Sequence, residues 1–255
     1  MRKIVAVAIC KGGVGKTTTS VNLAASLAVA EKKTLLIDFD PTASCSSYLG
    51  FTSDKEFSGI FKILSFNISI PQVITKTELD FLDFIPSDIS TPDIEERLLR
   101  IANYAYLFKN ILNSPELFNY DYIIIDCPPS LKGLTTIALI AANSVLLPVK
   151  AGEFSIEALR KMFKYFLWIK RSYNSHLQIE GILRTMYEGD TNAWKLTNEE
   201  LHKCYGSYLL NTIIPKNSNL IEAEFRRRPA VLCNLKSPGA QAYFRLSQEI
   251  MNKSL

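Results

Sequence analysis

The sequence has few of the residues that bind zinc or build a disulfide framework. Its 255 residues include two histidines and five cysteines, and no two cysteines form a CxxC pair. An odd and scattered set of cysteines indicates reduced thiols, and the shortage of histidine argues against a zinc site. The cysteines are Cys10, Cys45, Cys127, Cys204 and Cys233.

Long apolar runs are also missing. No stretch approaches the roughly 20 residues that a membrane-spanning helix needs. The first residues, Met1-Arg2-Lys3 before a short apolar run, lack the cleavage site of a signal peptide. We therefore expect a cytoplasmic protein. The net charge of +4 is compatible with nucleic acid binding but does not by itself indicate it.

The apolar runs that are present alternate with helical stretches, which predicts an α/β fold with a mainly parallel, doubly wound sheet flanked by helices. The predicted strands cover residues 3–9, 34–39, 81–85, 122–126, 144–149, 178–184 and 210–214. The predicted helices cover residues 17–30, 92–112, 134–142, 155–171, 192–205, 220–226 and 240–251. Residues 50–78 are the least regular stretch. Because no linker interrupts the chain, we expect one domain over residues 1–255.

Glycines cluster where the first predicted strand ends. Residues 10–18 read CKGGVGKTT and match the end of the phosphate-binding loop G-x-x-x-x-G-K-[ST], whose backbone N–H groups cradle phosphates. Lys16 should neutralise the β- and γ-phosphates of ATP, and the Thr17 hydroxyl should bind Mg²⁺. Cys10 replaces the first glycine of the pattern and is followed by a second lysine. The expected nucleotide contacts in this loop are Lys11, Gly12, Gly13, Val14, Gly15, Lys16, Thr17 and Thr18.

Carboxylates end two further predicted strands. Asp38 and Asp40 close the segment LLIDFDP, and Asp126 closes YIIID. Ligands collect at the carboxyl ends of parallel strands, so these side chains should face the phosphate-binding loop. Asp126 should hold a magnesium-bound water. Asp38 should organise a magnesium-bound water or the backbone, and a simple turn cap is the alternative for both earlier aspartates.

Together these segments resemble the ParA/MinD family of dimerising ATPases. The loop has the family's deviant form KGGxGK[ST], residues 126–131 match DxPPSL, and residues 236–243 come close to the C-terminal KSxGAxAY. The resemblance runs nearly end to end and is closer to the ParA branch. The chain departs from the family at Thr42, where the family usually has glutamine. It also departs after residue 131, where the family often has glycine and this chain has Lys132 before Gly133.

The resemblance implies a homodimer with ATP sandwiched between the subunits. Lys11 would act across the interface on the partner's phosphates, as an arginine finger does, and Asp40 would polarise the attacking water. The implied metal site comprises Thr17, Asp40 and Asp126. Pro215 and Asn217 would lie beside the adenine, with a turn capped by Asn217 as the alternative. Because no glutamine or arginine completes the site, we expect slow hydrolysis that a ParB-like protein accelerates.

ParA proteins bind DNA non-specifically as ATP dimers, so the resemblance also implies nucleoid association. The candidate phosphate contacts near the C-terminus are Arg226, Arg227, Arg228, Lys236 and Arg245. A second candidate group lies on one predicted helix, for which a solvated helix face is the alternative: Arg160, Lys161, Lys164, Lys170 and Arg171. Two positions at which related partition proteins carry arginine hold Asp190 and Asn219 here.

Three other readings of the loop are weighed. A MinD-like protein would end in a basic amphipathic helix that lies on a membrane, and we expect no such anchor because residues 248–255 read QEIMNKSL. An iron–sulfur relative would need cysteine ligands, whereas Cys127 is expected to be a small buried residue. A scaffold that binds ATP without turnover is the third reading. The main alternative to a DNA-partitioning role is a positioning ATPase that acts on a protein cargo or membrane with little or no DNA binding.

Overall fold

The computed structural model describes residues 2–51, 59–66, 68–88, 106–189 and 191–253. Its centre is one eight-stranded sheet with the spatial order β3-β4-β2-β5-β1-β6-β7-β8. The strands are β1 (Lys3–Val7), β2 (Thr34–Asp38), β3 (Thr75–Lys76), β4 (Leu82–Ile85), β5 (Tyr122–Asp126), β6 (Ser144–Val149), β7 (Gln178–Tyr187) and β8 (Leu209–Pro215). All neighbouring strands pair in parallel except β3 and β4, which confirms the predicted fold class.

Helices cover both faces of the sheet. They are α1 (Lys16–Val29), α2 (Ser44–Tyr48), α3 (Ile60–Phe66), α4 (Leu107–Leu112), α5 (Leu134–Ala141), α6 (Glu153–Ser172), α7 (Asn192–Tyr205), α8 (Ser218–Phe225), α9 (Ala230–Cys233) and α10 (Pro238–Asn252). Short 3-10 turns cover Ile70–Gln72, Pro115–Leu117 and Gly206–Tyr208. None of the helices in the described ranges is long and apolar enough to cross a membrane.

The central strands are apolar throughout because both of their faces are buried. Ile123 and Ile125 of β5 point into one core, whereas Ile124 points into the other. The same alternation divides Leu35 and Leu36 of β2 between the two cores. This is the pattern of parallel strands covered by helices on both sides, and it explains why these runs were recognisable in the sequence.

Most predicted elements are confirmed, with ends shifted by a few residues. The strand predicted at 178–184 continues to Tyr187, because its last residues pair with β8. Four short elements were missed: β3 at the antiparallel edge, α2, α9, and α3 within the stretch taken to be the least regular. Of the helix predicted at 92–112, residues 92–105 lie outside the described residues, and α4 covers only its end.

One buried amide joins three helices near the carboxyl edge of the sheet. Asn22 on α1 donates from Nδ2 to the Thr18 carbonyl at 2.8 Å and to the Tyr48 hydroxyl at 3.2 Å. Its Oδ1 accepts from the Ala230 N–H at 2.8 Å, at the start of α9. Since Asn22 is 1% exposed, these bonds are made out of reach of water and fix α2 and α9 against α1.

We expect Asn22→Ala to destabilise the fold by about 1–3 kcal/mol, because it leaves the buried Ala230 N–H without an acceptor. The measurement is urea unfolding of both proteins. As a matched control, Asn211→Ala removes an exposed asparagine side chain and should change the free energy of unfolding by less than about 0.5 kcal/mol. Equal effects of the two substitutions would contradict a specific role for the Asn22 amide.

Candidate functional site

The glycine-rich loop connects the end of β1 to the start of α1 at the carboxyl edge of the sheet. Gly13 and Gly15 have φ angles of 63° and 82°, in the left-handed region that favours glycine. Gly15 directly precedes α1, and no side chain caps this end of the helix. The free N–H groups and the positive end of the helix dipole therefore point into the loop, an arrangement suited to an anion.

Lys16 lies in the first turn of α1 and is largely buried. Its Nζ donates to the carbonyl of Lys11 at 3.1 Å, so it bridges the two ends of the loop. Burial lowers the pKa of Lys16, while the nearby Asp126 and Asp40 raise it. A phosphate group in the loop would place negative charge beside this buried ammonium group and so favour its protonated form.

Asp126 ends β5 and is completely buried against α1. One of its oxygens accepts from the Thr17 hydroxyl and the other from the Ser20 hydroxyl, each at 2.8 Å. Burial raises the pKa of Asp126 to about 6, although both hydroxyl bonds lower it. A buried carboxylate beside a threonine hydroxyl fits Mg²⁺, a cation that prefers oxygen ligands and would favour the ionised carboxylate. Ser20 was not identified from the sequence.

Asp38 and Asp40 hold the turn that follows β2. Asp38 accepts from the backbone N–H of Ser46 at 2.7 Å and from its hydroxyl at 2.6 Å. Asp40 lies beyond the end of the strand and accepts from the N–H and the hydroxyl of Thr42, both at 2.9 Å. Thr42, which stands where the resembling family has glutamine, is therefore bonded to Asp40. Burial, and then the nearby Asp126, raise the pKa of Asp38 to about 8.

Lys11 points away from its own phosphate-binding loop. Its Nζ donates to the Ser155 hydroxyl at 3.0 Å and lies 5.8 Å from the centre of the Phe154 ring. Both residues belong to the first turn of α6, and Phe154 is 76% exposed. Lys11 is thus held at the surface beside an exposed aromatic ring.

A cavity of about 480 Å³ opens beside Gly15 and Thr18. The predicted adenine contacts, Pro215 and Asn217, both line it. Asn217 immediately precedes α8, yet its side chain makes no capping bond. Its Oδ1 is buried beside Gly239 and has no hydrogen-bond partner among the described residues. Sequence reasoning missed other lining residues, including Lys150, Met186, Trp194 and Tyr243.

The basic residues proposed to contact DNA differ in their surroundings. Arg226 and Arg227 are exposed and form no ion pair among the described residues. The same is true of Lys236 and Arg245. Arg228 must be set apart from its neighbours, because its Nε donates to Glu78 at 2.8 Å and a carboxylate already neutralises its charge.

The basic group on α6 is partly neutralised as well. Arg160 pairs with Glu153 and Glu200, and Lys161 pairs with Glu157. The Lys170 ammonium group donates to the carbonyl of Leu177. These pairs favour the alternative interpretation of the group, a solvated helix face. Lys164 and Arg171 remain exposed. Asn219 is half-buried on α8, and Asp190 lies outside the described residues.

Comparison with known proteins agrees with this geometry. A family model described as an AAA domain matches residues 2–179. The chain is 38% identical to the sporulation initiation inhibitor protein Soj of Bacillus subtilis, with 98% of each chain covered. It is 37% identical to the chromosome partitioning protein ParA of Myxococcus xanthus, with 98% of this chain and 88% of that protein covered. Cobyrinic acid a,c-diamide synthase from Mycobacterium smegmatis, solved with an ATP analogue and magnesium, superposes with a TM-score of 0.84 at 26% identity, covering 100% of this chain and 96% of that one.

The raised pKa of Asp38 predicts a specific dependence of stability on pH. The folded protein holds this proton up to about pH 8, whereas an unfolded aspartate loses it near pH 4. Ionisation therefore favours the unfolded state as the pH rises from about 5 to about 8. Asp38→Asn cannot ionise, so its free energy of unfolding should rise relative to wild type over this interval.

Urea unfolding at several pH values measures this difference. Asp80→Asn removes an exposed carboxylate and serves as the control, since it should follow the wild-type profile. A constant difference between Asp38→Asn and wild type across the interval would show that Asp38 is ionised in the folded protein.

Proposed function

This chain belongs to the family of ParA and Soj partitioning ATPases, and from that premise we propose that it is a Mg²⁺-dependent ATPase switch in chromosome or plasmid partitioning. In the proposal, ATP holds two subunits together, the dimer binds DNA without sequence preference, and a ParB-like partner stimulates hydrolysis. The observation that carries the proposal is the convergence of three features at one edge of the sheet. These are the uncapped start of α1, the Thr17–Asp126 pair and the cavity lined by Pro215 and Asn217.

In the proposal, different residues of this chain bind the phosphates, the adenine and the magnesium ion. Lys16 and the N–H groups of residues 12–18 would bind the phosphates, and Asn217 Oδ1 would accept from the amino group of the adenine. Thr17 and Asp126 would hold the magnesium ion or its water, with Asp40 near it. When bound, the ion neutralises phosphate charge that develops during hydrolysis.

Asp40 is the proposed base that orients the attacking water. One oxygen of its carboxylate, Oδ1, accepts from both the N–H and the hydroxyl of Thr42, which orients the group, and the second oxygen of a carboxylate can accept from water. Slow turnover that a partner accelerates is part of the proposal, because no glutamine or arginine was recognised beside Asp40 in the sequence. It is the behaviour of a timer, in which the lifetime of the ATP state carries the signal.

Lys11 supports the proposed ATP-dependent dimer. Its ammonium group is at the surface, held by Ser155 and close to the exposed Phe154 ring, so it is placed to leave its own subunit. A second subunit that presents its phosphates would offer a stronger, charged acceptor than the Ser155 hydroxyl. ATP would then stabilise the dimer, and its hydrolysis would remove part of that contact.

A specific feature also favours the second candidate function, a positioning ATPase that acts on a protein cargo. On α8, next to Asn219, Ile221 and Phe225 are 57% and 86% exposed. They are four residues apart and therefore share one helix face. Exposed apolar side chains at this spacing fit a protein partner better than a DNA backbone. Binding to random duplex DNA with Mg²⁺-ATP and with Mg²⁺-ADP decides between the two functions.

We expect Lys11→Ala to bind a non-hydrolysable ATP analogue but to remain monomeric, because it lacks the charge that acts across the interface. Light scattering with the analogue and magnesium measures the mass. Lys16→Ala is the matched comparison, since it should weaken nucleotide binding itself by about 10- to 100-fold. A stable analogue-bound dimer of Lys11→Ala would overturn the cross-subunit role.

We expect the double variant Arg226→Glu, Arg227→Glu to lose affinity for random duplex DNA while still forming the ATP dimer. The dimer carries four of these arginines, so if each meets one phosphate the magnitude of the slope of log affinity against log salt should fall by about four. Arg228→Gln, whose charge Glu78 already neutralises, and Arg171→Glu on α6 should change binding far less. Loss of binding in Arg171→Glu instead would assign DNA to the α6 surface.

A further inference from the structure

A third lysine reaches the phosphate-binding loop from outside the motif. Lys150 is the residue after β6, and its Nζ lies 3.9 Å from the position that a Cβ atom on Gly13 would occupy. The same side chain lines the cavity together with Gly15 and Thr18. Lys150 therefore lies next to both the glycine-rich loop and the cavity.

The backbone places Lys150 there rigidly. Val7 of β1 pairs with Leu146 of β6, so the two strands run side by side to the same edge of the sheet. The Thr185 hydroxyl then lies 2.9 Å from the Val14 carbonyl oxygen and 3.0 Å from the Val149 carbonyl oxygen. Because Thr185 is buried, these contacts hold the end of β6 against the loop. The position of Lys150 is therefore set by the same contacts as that of the loop itself.

The positively charged side chains around the loop favour the binding of an anion. Burial is the main cause that lowers the pKa of Lys11, and the neighbouring charge of Lys150 adds to it. Among the described residues, neither lysine forms an ion pair with a carboxylate, whereas Lys16 has Asp126 and Asp40 nearby. Two adjacent ammonium groups repel each other unless negative charge comes between them. The carboxyl edge of a parallel sheet is also where ligands bind.

We propose that Lys150 is a phosphate-binding residue for the nucleotide held in its own subunit. The inference rests on the proposed function and extends it, because it assigns a positive charge in cis that lies outside the loop motif. Ser155 holds Lys11 away from the loop, so Lys150 and Lys16 are the two cations placed to reach the phosphates of the same chain. Lys150 would thereby add a positive charge to a site in which the sequence shows no glutamine or arginine that completes it.

The test is the affinity for ADP with magnesium, measured by isothermal titration calorimetry. ADP is chosen so that binding is measured without the ATP-dependent dimer. Lys150→Met keeps the aliphatic stem and removes the charge, and it should weaken ADP binding by about 10-fold or more. Lys150→Arg should restore most of the affinity. Lys164→Met, which removes an exposed lysine of α6, should bind ADP as wild type does.

The salt dependence of ADP binding separates a phosphate contact from a packing role. Loss of a charge that meets phosphate should flatten the dependence of affinity on salt in Lys150→Met, and Lys150→Arg should keep the wild-type slope. ADP affinity of Lys150→Met within about twofold of wild type would overturn the inference, as would an equal loss in Lys150→Arg. Wild-type protein that binds no nucleotide would instead refute the proposed function.

Discussion

The site depends on one buried contact, the pair of hydrogen bonds that Asp126 accepts from Thr17 and Ser20. Parallel pairing aligns Asp38, Val7 and Asp126 at one edge of the sheet, and the two hydroxyls join that edge to α1. The start of α1 then has a fixed direction, and with it the loop, the helix dipole and Lys16. Without this contact the glycine-rich loop would be flexible, because glycine itself imposes little order.

Elements buried on two faces could be predicted from the sequence, and short elements at edges could not. β1, β2 and β5 contain continuous apolar runs because their side chains enter one of two cores, as expected for parallel strands covered on both faces. α2 spans five residues and β3 two, too few to show any period. Their positions are set by Asp38 binding Ser46 and by pairing with β4, and neither contact has a recognisable sequence pattern.

The same distinction applies to the site. Lys16, Thr17 and Asp126 occur in local patterns whose chemistry is independent of the rest of the fold. Lys150 has no motif, and only the pairing of β6 with β1 brings it to the loop. Its one sequence signal is a cation directly after the apolar strand segment SVLLPV, at the edge where ligands collect in parallel sheets. The pairing of Arg228 with Glu78 could not be predicted either, because the two residues are far apart in the chain.

The surface of α8 is where the chain departs most from the DNA-binding pattern it resembles. Asn219 stands where related partition proteins have a cation, Arg228 just beyond the helix is paired with Glu78, and Ile221 and Phe225 are exposed. Non-specific DNA binding needs unpaired positive charge, which on this side is reduced to Arg226 and Arg227 together with Lys236 and Arg245. Ile221 also lines the cavity, so a protein bound to α8 would contact a wall of the proposed nucleotide site. The helix could therefore couple nucleotide state to a protein partner even if DNA affinity is weak, because both would act on the same helix.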